Sequence, residues 1–146
     1  MTDPVRVAFV CVQNAGRSQM AAAFAERERG RRDVEDAVEV LTGGTRPAEG
    51  VHDVVVEAMR EAGFDLSDRT PRGISTEELE SCDYVATMGC STLDLDDDTT
   101  VDVRDWALDD PDGEDPETVR EIREEIAGRV SGVFDEIEAR LEERPA

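Results

Sequence analysis

Residues 9–24, FVCVQNAGRSQMAAAF, run from an apolar segment through a cysteine, a polar loop, an arginine and a serine into a run of good helix formers. The residues before it extend the pattern. VRVAFVCV, 5–12, alternates and then becomes continuously apolar, as a strand buried in a sheet does. Gln13 to Gly16 reads as a tight polar turn, and Ser18 to about Gly30 as a helix with Met20, Ala21, Phe24 and Ala25 on one face. A strand, a glycine-containing turn and a helix N-terminus in succession aim several backbone N–H groups at one point, which makes a preformed anion site. Arg17 adds a planar fork able to hold two oxygens of a tetrahedral oxyanion. Cys11 stands at the same focus. The N–H groups, the helix dipole and the guanidinium there favour thiolate over thiol, and Ser18 can donate a hydrogen bond to the sulfur. A thiolate beneath a bound oxyanion is an activated nucleophile. The candidate oxyanion-binding set is therefore Val12, Gln13, Asn14, Ala15, Gly16, Arg17 and Ser18, with Cys11 as nucleophile.

Outward from this stretch, strand and helix patterns alternate. Val38–Leu41 reads as a second strand closed by Gly43-Gly44, and Val51–Ala62 as a helix with apolar residues at helical spacing and Gly63 at its C-terminal cap. Thr76–Glu80 reads as one helical turn, Asp83–Met88 (DYVATM) as a third strand and Thr99–Val103 as a short fourth. Asp115-Pro116 opens a long helix to about Glu142, an N-cap followed by proline at the first helical position. Its apolar stripe is Val119, Ile122, Ile126, Val130, Val133, Ile137 and Leu141. This alternation predicts an α/β fold with a parallel sheet and right-handed crossovers, in which ligands bind at the carboxyl ends of the strands. With no internal repeat or linker, residues 1–146 read as one domain.

Charge bounds the partners. The chain has 37 acidic residues against 16 basic ones, and every basic residue is an arginine. Such a surface repels nucleic acid and anionic membranes, so neither is expected as a partner. The acid is spread over helices and loops, and the acidic loop Asp94–Asp98 (DLDDD) reads as a solvated turn. The absence of lysine resembles proteins of extreme halophiles, in which molar salt screens self-repulsion. No apolar leader and no run of 18 apolar residues is present, which points to the cytoplasm. Three cysteines in such a chain do not make a disulfide framework. No metal-ligand cluster is apparent, since the acidic runs lack the ordered spacing of a calcium loop.

CVQNAGRSQMA resembles the signature loop, C-x5-R-S, of the low-molecular-weight protein tyrosine phosphatase superfamily, and in particular its thiol-coupled arsenate reductase branch. That branch reads R-S-Q-M-A after the loop where the phosphatases read R-S-P, so Gln19-Met20-Ala21 favours the reductase. TGGTRPAEGVHDVVVEAMREAGFDLSDRT is similar to the family's second strand and helix, CDYVATMGC to its third strand, and DWALDDPDG to its acid loop. The resemblance implies a single three-layer domain with a four-stranded parallel sheet flanked by helices. It also implies the activity: arsenate reduction, or hydrolysis of phosphate monoesters through a cysteinyl-phosphate. The family's Asp-Pro acid aligns with Asp110-Pro111, which makes Asp110 the expected proton donor, with Asp105 and Asp109 as alternatives that do not precede proline. Asp112-Gly113 stands where tyrosine phosphatases carry aromatic residues, a second point for the reductase.

Reduction needs two electrons, so a second thiol must attack the Cys11 adduct. Cys90, just beyond the third strand in TMGC, is the candidate. Cys82 lies eight residues earlier, about 26 Å along a strand, whereas a disulfide needs Cα atoms within about 7 Å, so Cys82 reads as structural. Thioredoxin-linked members of the branch carry two cysteines in or after this segment, and here none follows Cys90. Two routes stay open: a Cys11–Cys90 disulfide reduced by a thioredoxin-like partner, or first attack by a low-molecular-weight thiol. No bound cofactor is implied. The sole histidine, His52, reads as a helix-start residue with packing under the loop as the alternative, and Trp106 as a hinge or core anchor.

Overall fold

A computed structural model describes residues 4–11, 13–88, 101–106, 108–109, 111 and 113–143. The apolar run forms β1 (Val5–Cys11), which sits inside the sheet and is buried on both faces. The remaining elements are α1 (Arg17–Arg31), β2 (Val38–Gly44), α2 (Asp53–Glu61), α3 (Thr76–Glu80), β3 (Tyr84–Thr87), β4 (Asp102–Asp105) and α4 (Pro116–Glu142). All strand pairs are parallel and the order is β2-β1-β3-β4. The expected α/β class and four-stranded parallel sheet are what the chain forms.

The pleat of β1 divides the core. Val5, Val7, Phe9 and Cys11 face a large cluster filled by α1, α2 and α4, whereas Ala8 and Val10 face a smaller one with Leu41, Leu79, Cys82 and Val85 under α3. Helix α1 is buried from Arg17 to Ala25, and its alanines at 21, 22, 23 and 25 let it lie close to the sheet. Helix α4 is opened by the Asp115 carboxylate, which accepts from the Thr118 N–H at 2.8 Å, with Pro116 as first helical residue. Its stripe from Val119 to Ile137 is buried with Phe134, while Leu141 is only partly covered. No helix among the described residues is long and apolar enough to cross a membrane.

Two strands differ from expectation. Strand β2 continues through Thr42-Gly43-Gly44, so that Cys11 pairs with Gly44. A Gly-Gly pair reads as a turn, but here the small residues serve packing: a Cβ on Gly43 would lie 2.5 Å from the Ile74 Cβ. Gly43→Ala should therefore destabilise the fold by about 1–3 kcal/mol, read as a lower denaturant midpoint at unchanged slope. Strand β4 is Asp102–Asp105 rather than Thr99–Val103; Thr99 and Thr100 lie outside the described residues. Its polar side chains are tolerated because it is an edge strand, where backbone pairing to β3 suffices and charge suits the open side. Arg104 there pairs with Asp102 and Glu136, which draws α4 onto the strand.

Candidate active site

The chain passes from β1 to β2 on one side and later to β3 on the other, so the order reverses beside β1. The crevice at the carboxyl ends of β1 and β3 is the switch point where such sheets bind ligands. Cys11 ends β1 there, buried at 4 % exposure. The turn after it brings the chain back over the sulfur: Asn14 has φ 53°, the left-handed region that asparagine tolerates, and its N–H points to the Cys11 Sγ at 3.2 Å. The same turn delivers Gly16 as the N-cap of α1.

The first turn of α1 contains no acidic residue, although α2 has Asp53, α3 has Glu77 and Glu78, and α4 has Glu117 in that place. Carboxylates are favoured at helix N-termini. The helix that starts at the cysteine thus has no carboxylate of its own in the place where an anion is favoured.

Around the sulfur lies a buried network whose polarity follows from its fixed members. The Arg72 backbone N–H can only donate, and it meets the Asn14 Oδ1 at 3.0 Å. The Asn14 Nδ2 must then face the other way, where it donates to the Ser18 Oγ at 2.7 Å and the Thr42 Oγ1 at 2.9 Å. Thr42 gives its own hydrogen to the Phe9 carbonyl at 2.9 Å. The Ser18 oxygen accepts from Asn14 and lies 2.9 Å from the Cys11 Sγ; against a thiolate, which carries no hydrogen, its own hydrogen goes to the sulfur. As a thiolate the sulfur receives two donors, the Ser18 hydroxyl and the Asn14 N–H. Arg72 is itself held by Glu78, whose carboxyl stays below its usual range, chiefly through the Arg72 guanidinium and then the Ser75 N–H.

Arg17 ties the crevice together. Its Nη1 donates to the carbonyls of Met88 (2.7 Å), at the end of β3, and Leu108 (2.9 Å), in the loop beyond β4. Pro111 packs against the loop from outside: a Cβ on Gly16 would lie 3.2 Å from the Pro111 Cγ. The segments that lead to the two distant expected participants therefore converge on Arg17 and Gly16. Val12, Cys90 and Asp110 themselves lie outside the described residues.

The structure brings Cys11, Asn14, Ala15, Gly16, Arg17 and Ser18 together in the buried interior and leaves Gln13 exposed at the rim. The Asp105 Oδ1 accepts from the Thr87 hydroxyl at 2.9 Å, and Asp109 is exposed. Cys82 is buried just before β3, at the opposite end of the sheet; burial pushes its thiol up, and its sulfur donates to the Glu78 carbonyl at 3.4 Å. His52 is the N-cap residue of α2 and a neighbour of the loop at once. Its N–H donates to the Ala15 carbonyl at 2.9 Å and its Nε2 lies 3.1 Å from the Gln13 Oε1. Trp106 is a core residue beside Phe9, with ring centroids 5.9 Å apart. Nothing in the sequence alone marks Thr42, Gln19 or the Arg72 N–H as members of this network. Thr42 is 28 residues from Asn14 and is delivered by strand register, and a backbone N–H has no sequence signal. Among the described residues, no group of three or more His, Cys, Asp or Glu could hold a metal ion.

This geometry has known counterparts. The sequence pattern described as "Low molecular weight phosphotyrosine protein phosphatase" matches residues 6–143. A Halobacterium salinarum protein named "Putative arsenate reductase" is 73% identical over 128 residues, which are 88% of this chain and 89% of that one. A solved structure of a Corynebacterium glutamicum thioredoxin-dependent arsenate reductase superposes with TM-score 0.76 at 36% identity, over 95% of this chain and 65% of that one. A second, "An arsenate reductase in the phosphate binding state", does so with TM-score 0.75 at 29% identity, over 91% of this chain and 98% of that one.

Proposed function

The chain belongs to the low molecular weight phosphotyrosine protein phosphatase family, and on that premise we propose that it is an arsenate reductase with Cys11 as its nucleophile. The observation that carries the proposal is the polarity of the buried network. The Asn14 N–H donates to the Cys11 sulfur, and the Ser18 hydroxyl, 2.9 Å away, is placed to donate to a thiolate there, at the acid-free N-terminus of α1. The names of the Halobacterium and Corynebacterium relatives support arsenate as the oxyanion.

The Cys11 thiolate attacks arsenic, and a hydroxyl on arsenic leaves as water once protonated, the role assigned to Asp110. The loop amides of residues 12–17 and the Arg17 guanidinium hold the remaining oxygens. A second thiolate, from Cys90 or an external thiol, then attacks the Cys11 sulfur. A sulfur–sulfur bond forms, the sulfur–arsenic bond breaks, and its electron pair stays on arsenic as arsenite. Two thiols have lost two electrons and arsenate has gained them. An external reductant, a thioredoxin-like protein or a low-molecular-weight thiol, restores the thiols. The steps as written draw only on the chain's own residues and an external thiol, and we place the reaction in the cytoplasm.

Phosphate-ester hydrolysis is the second reading, because the family description and the cradle serve it equally. There, water would resolve the cysteinyl-phosphate and Cys90 would be idle. One comparison separates the two: arsenate reduction and phenyl phosphate hydrolysis, both in high salt, for the parent and Cys90→Ser. Loss of reduction with a thioredoxin system, by about 100-fold or more, is expected if Cys90 resolves the adduct. If Cys90→Ser reduces as well as the parent with a small thiol, the external-thiol route holds. Ester turnover with no arsenate reduction in the parent would sink the arsenate reading.

A further inference from the structure

The sequence contains one asparagine and two glutamines against 37 aspartates and glutamates, and all three carboxamides fall between Gln13 and Gln19. A composition this biased toward carboxylates keeps an amide where a carboxylate cannot do the same work. For Asn14 the reason is given by the network above: Oδ1 must accept while Nδ2 donates. Gln19 has the same character one step further out. It lies on α1 and is 2 % exposed. Its Nε2 donates both hydrogens to one residue, to the Asn14 main-chain carbonyl at 3.0 Å and to the Asn14 Oδ1 at 3.0 Å. Its Oε1 is buried without a partner among the described residues. A buried acceptor left unpaired costs stability, so the residue is used for its donor end. Glutamate here would set acceptor against acceptor on both Asn14 oxygens.

We propose that Gln19 is a positioning residue for the nucleophile: its amide locks Asn14 in the left-handed turn and, together with the Arg72 N–H, holds the Asn14 carboxamide in its orientation. That orientation makes Ser18 an acceptor from Asn14 and so a donor to Cys11. A donor lost at Gln19 lets the Asn14 turn relax and removes one of the two bonds that hold its Oδ1. The Ser18 hydrogen is then free to rotate away from the sulfur. The role is distinct from core filling, because a methionine of similar shape fills the space and gives no donor. It rests on the reading of Cys11 as nucleophile.

The test reads the thiolate without arsenate. Trypsin places Cys11 alone on the peptide Val7–Arg17 and puts Cys82 and Cys90 together on Gly73–Arg104, so iodoacetamide labelling of Cys11 is resolved by mass spectrometry. Gln19→Met should label at Cys11 about tenfold more slowly than the parent below neutral pH, with the two rates converging at alkaline pH. The same rate-against-pH curve in a folded Gln19→Met overturns the proposal. If that variant does not fold, the parent decides. Its three side-chain amide groups are resolvable by nitrogen-15 NMR, and the Gln19 and Asn14 signals should shift together as Cys11 ionises. A Gln19 signal that stays fixed through that titration overturns the proposal. Failure of the enzymatic reading looks different: Cys11→Ser would keep its activity whatever Gln19 does to labelling.

Discussion

Cys11→Ser should abolish arsenate reduction outright while leaving inorganic phosphate binding within about threefold of the parent. The loss is of kind rather than degree. A serine hydroxyl is a weaker nucleophile, which alone would cost orders of magnitude. More fundamentally, it cannot form a disulfide, so the two electrons have no source. Phosphate-ester hydrolysis should fall with it, since either reaction starts with attack by this sulfur. Binding should survive because the oxygens are assigned to Arg17 and the loop amides, and Arg17 is anchored independently by the Met88 and Leu108 carbonyls. The measurement is a paired assay of turnover and of phosphate affinity in high salt. Turnover retained in a fully substituted protein would move the nucleophile elsewhere, and Cys82 could not take the place. It is buried at the opposite end of the sheet, about 20 Å of strand from Cys11.

The site shows where sequence reading works. From Val5 to Phe24 each physical signal is local: an apolar run, then Asn14 and Gly16, then alanine-rich helix. Local signals agree with the fold there, and the strand, loop and helix could be placed to within a residue or so. The network behind the loop is not local. Thr42 arrives through the register of β2 on β1, and the extension of β2 that carries it ends in Gly43-Gly44, which reads as a turn in isolation. Arg72 contributes through its N–H, which every residue but proline possesses. Gln19 was legible as a mark of one branch of a family; its double donation to Asn14 depends on side-chain geometry across the first turn of α1. The strand at Asp102–Asp105 was shifted because an edge strand obeys pairing more than side-chain preference.

The second large effect concerns the whole surface. Thermal unfolding should shift upward by about 10–20 °C between 0.1 M and 3 M potassium chloride. The net charge is −21. Spread over a folded chain with a radius of about 15 Å it repels itself far more than over an unfolded one of about 40 Å. At a Debye length of about 10 Å that excess is on the order of 10 kcal/mol, and molar salt removes most of it. Salt also weakens the arginine pairs that oppose the repulsion, such as Arg32 with Glu28, Asp135 and Glu138, and Glu61 with Arg120 and Arg123. Apart from the partly buried Arg32–Glu28 pair, each of these has an exposed carboxylate and is worth little, so the repulsion sets the sign. A Halobacterium relative at 73% identity agrees with such a surface. General salting-out would also raise the midpoint, and charge removal tells the two apart. Changing the exposed Glu114, Glu117 and Glu121 together to glutamine takes the net charge from −21 to −18. Self-repulsion varies with the square of charge, so the salt-dependent rise should shrink by roughly a quarter. A midpoint indifferent to potassium chloride in the parent, or a rise unchanged in the triple variant, removes charge repulsion as the origin of this composition.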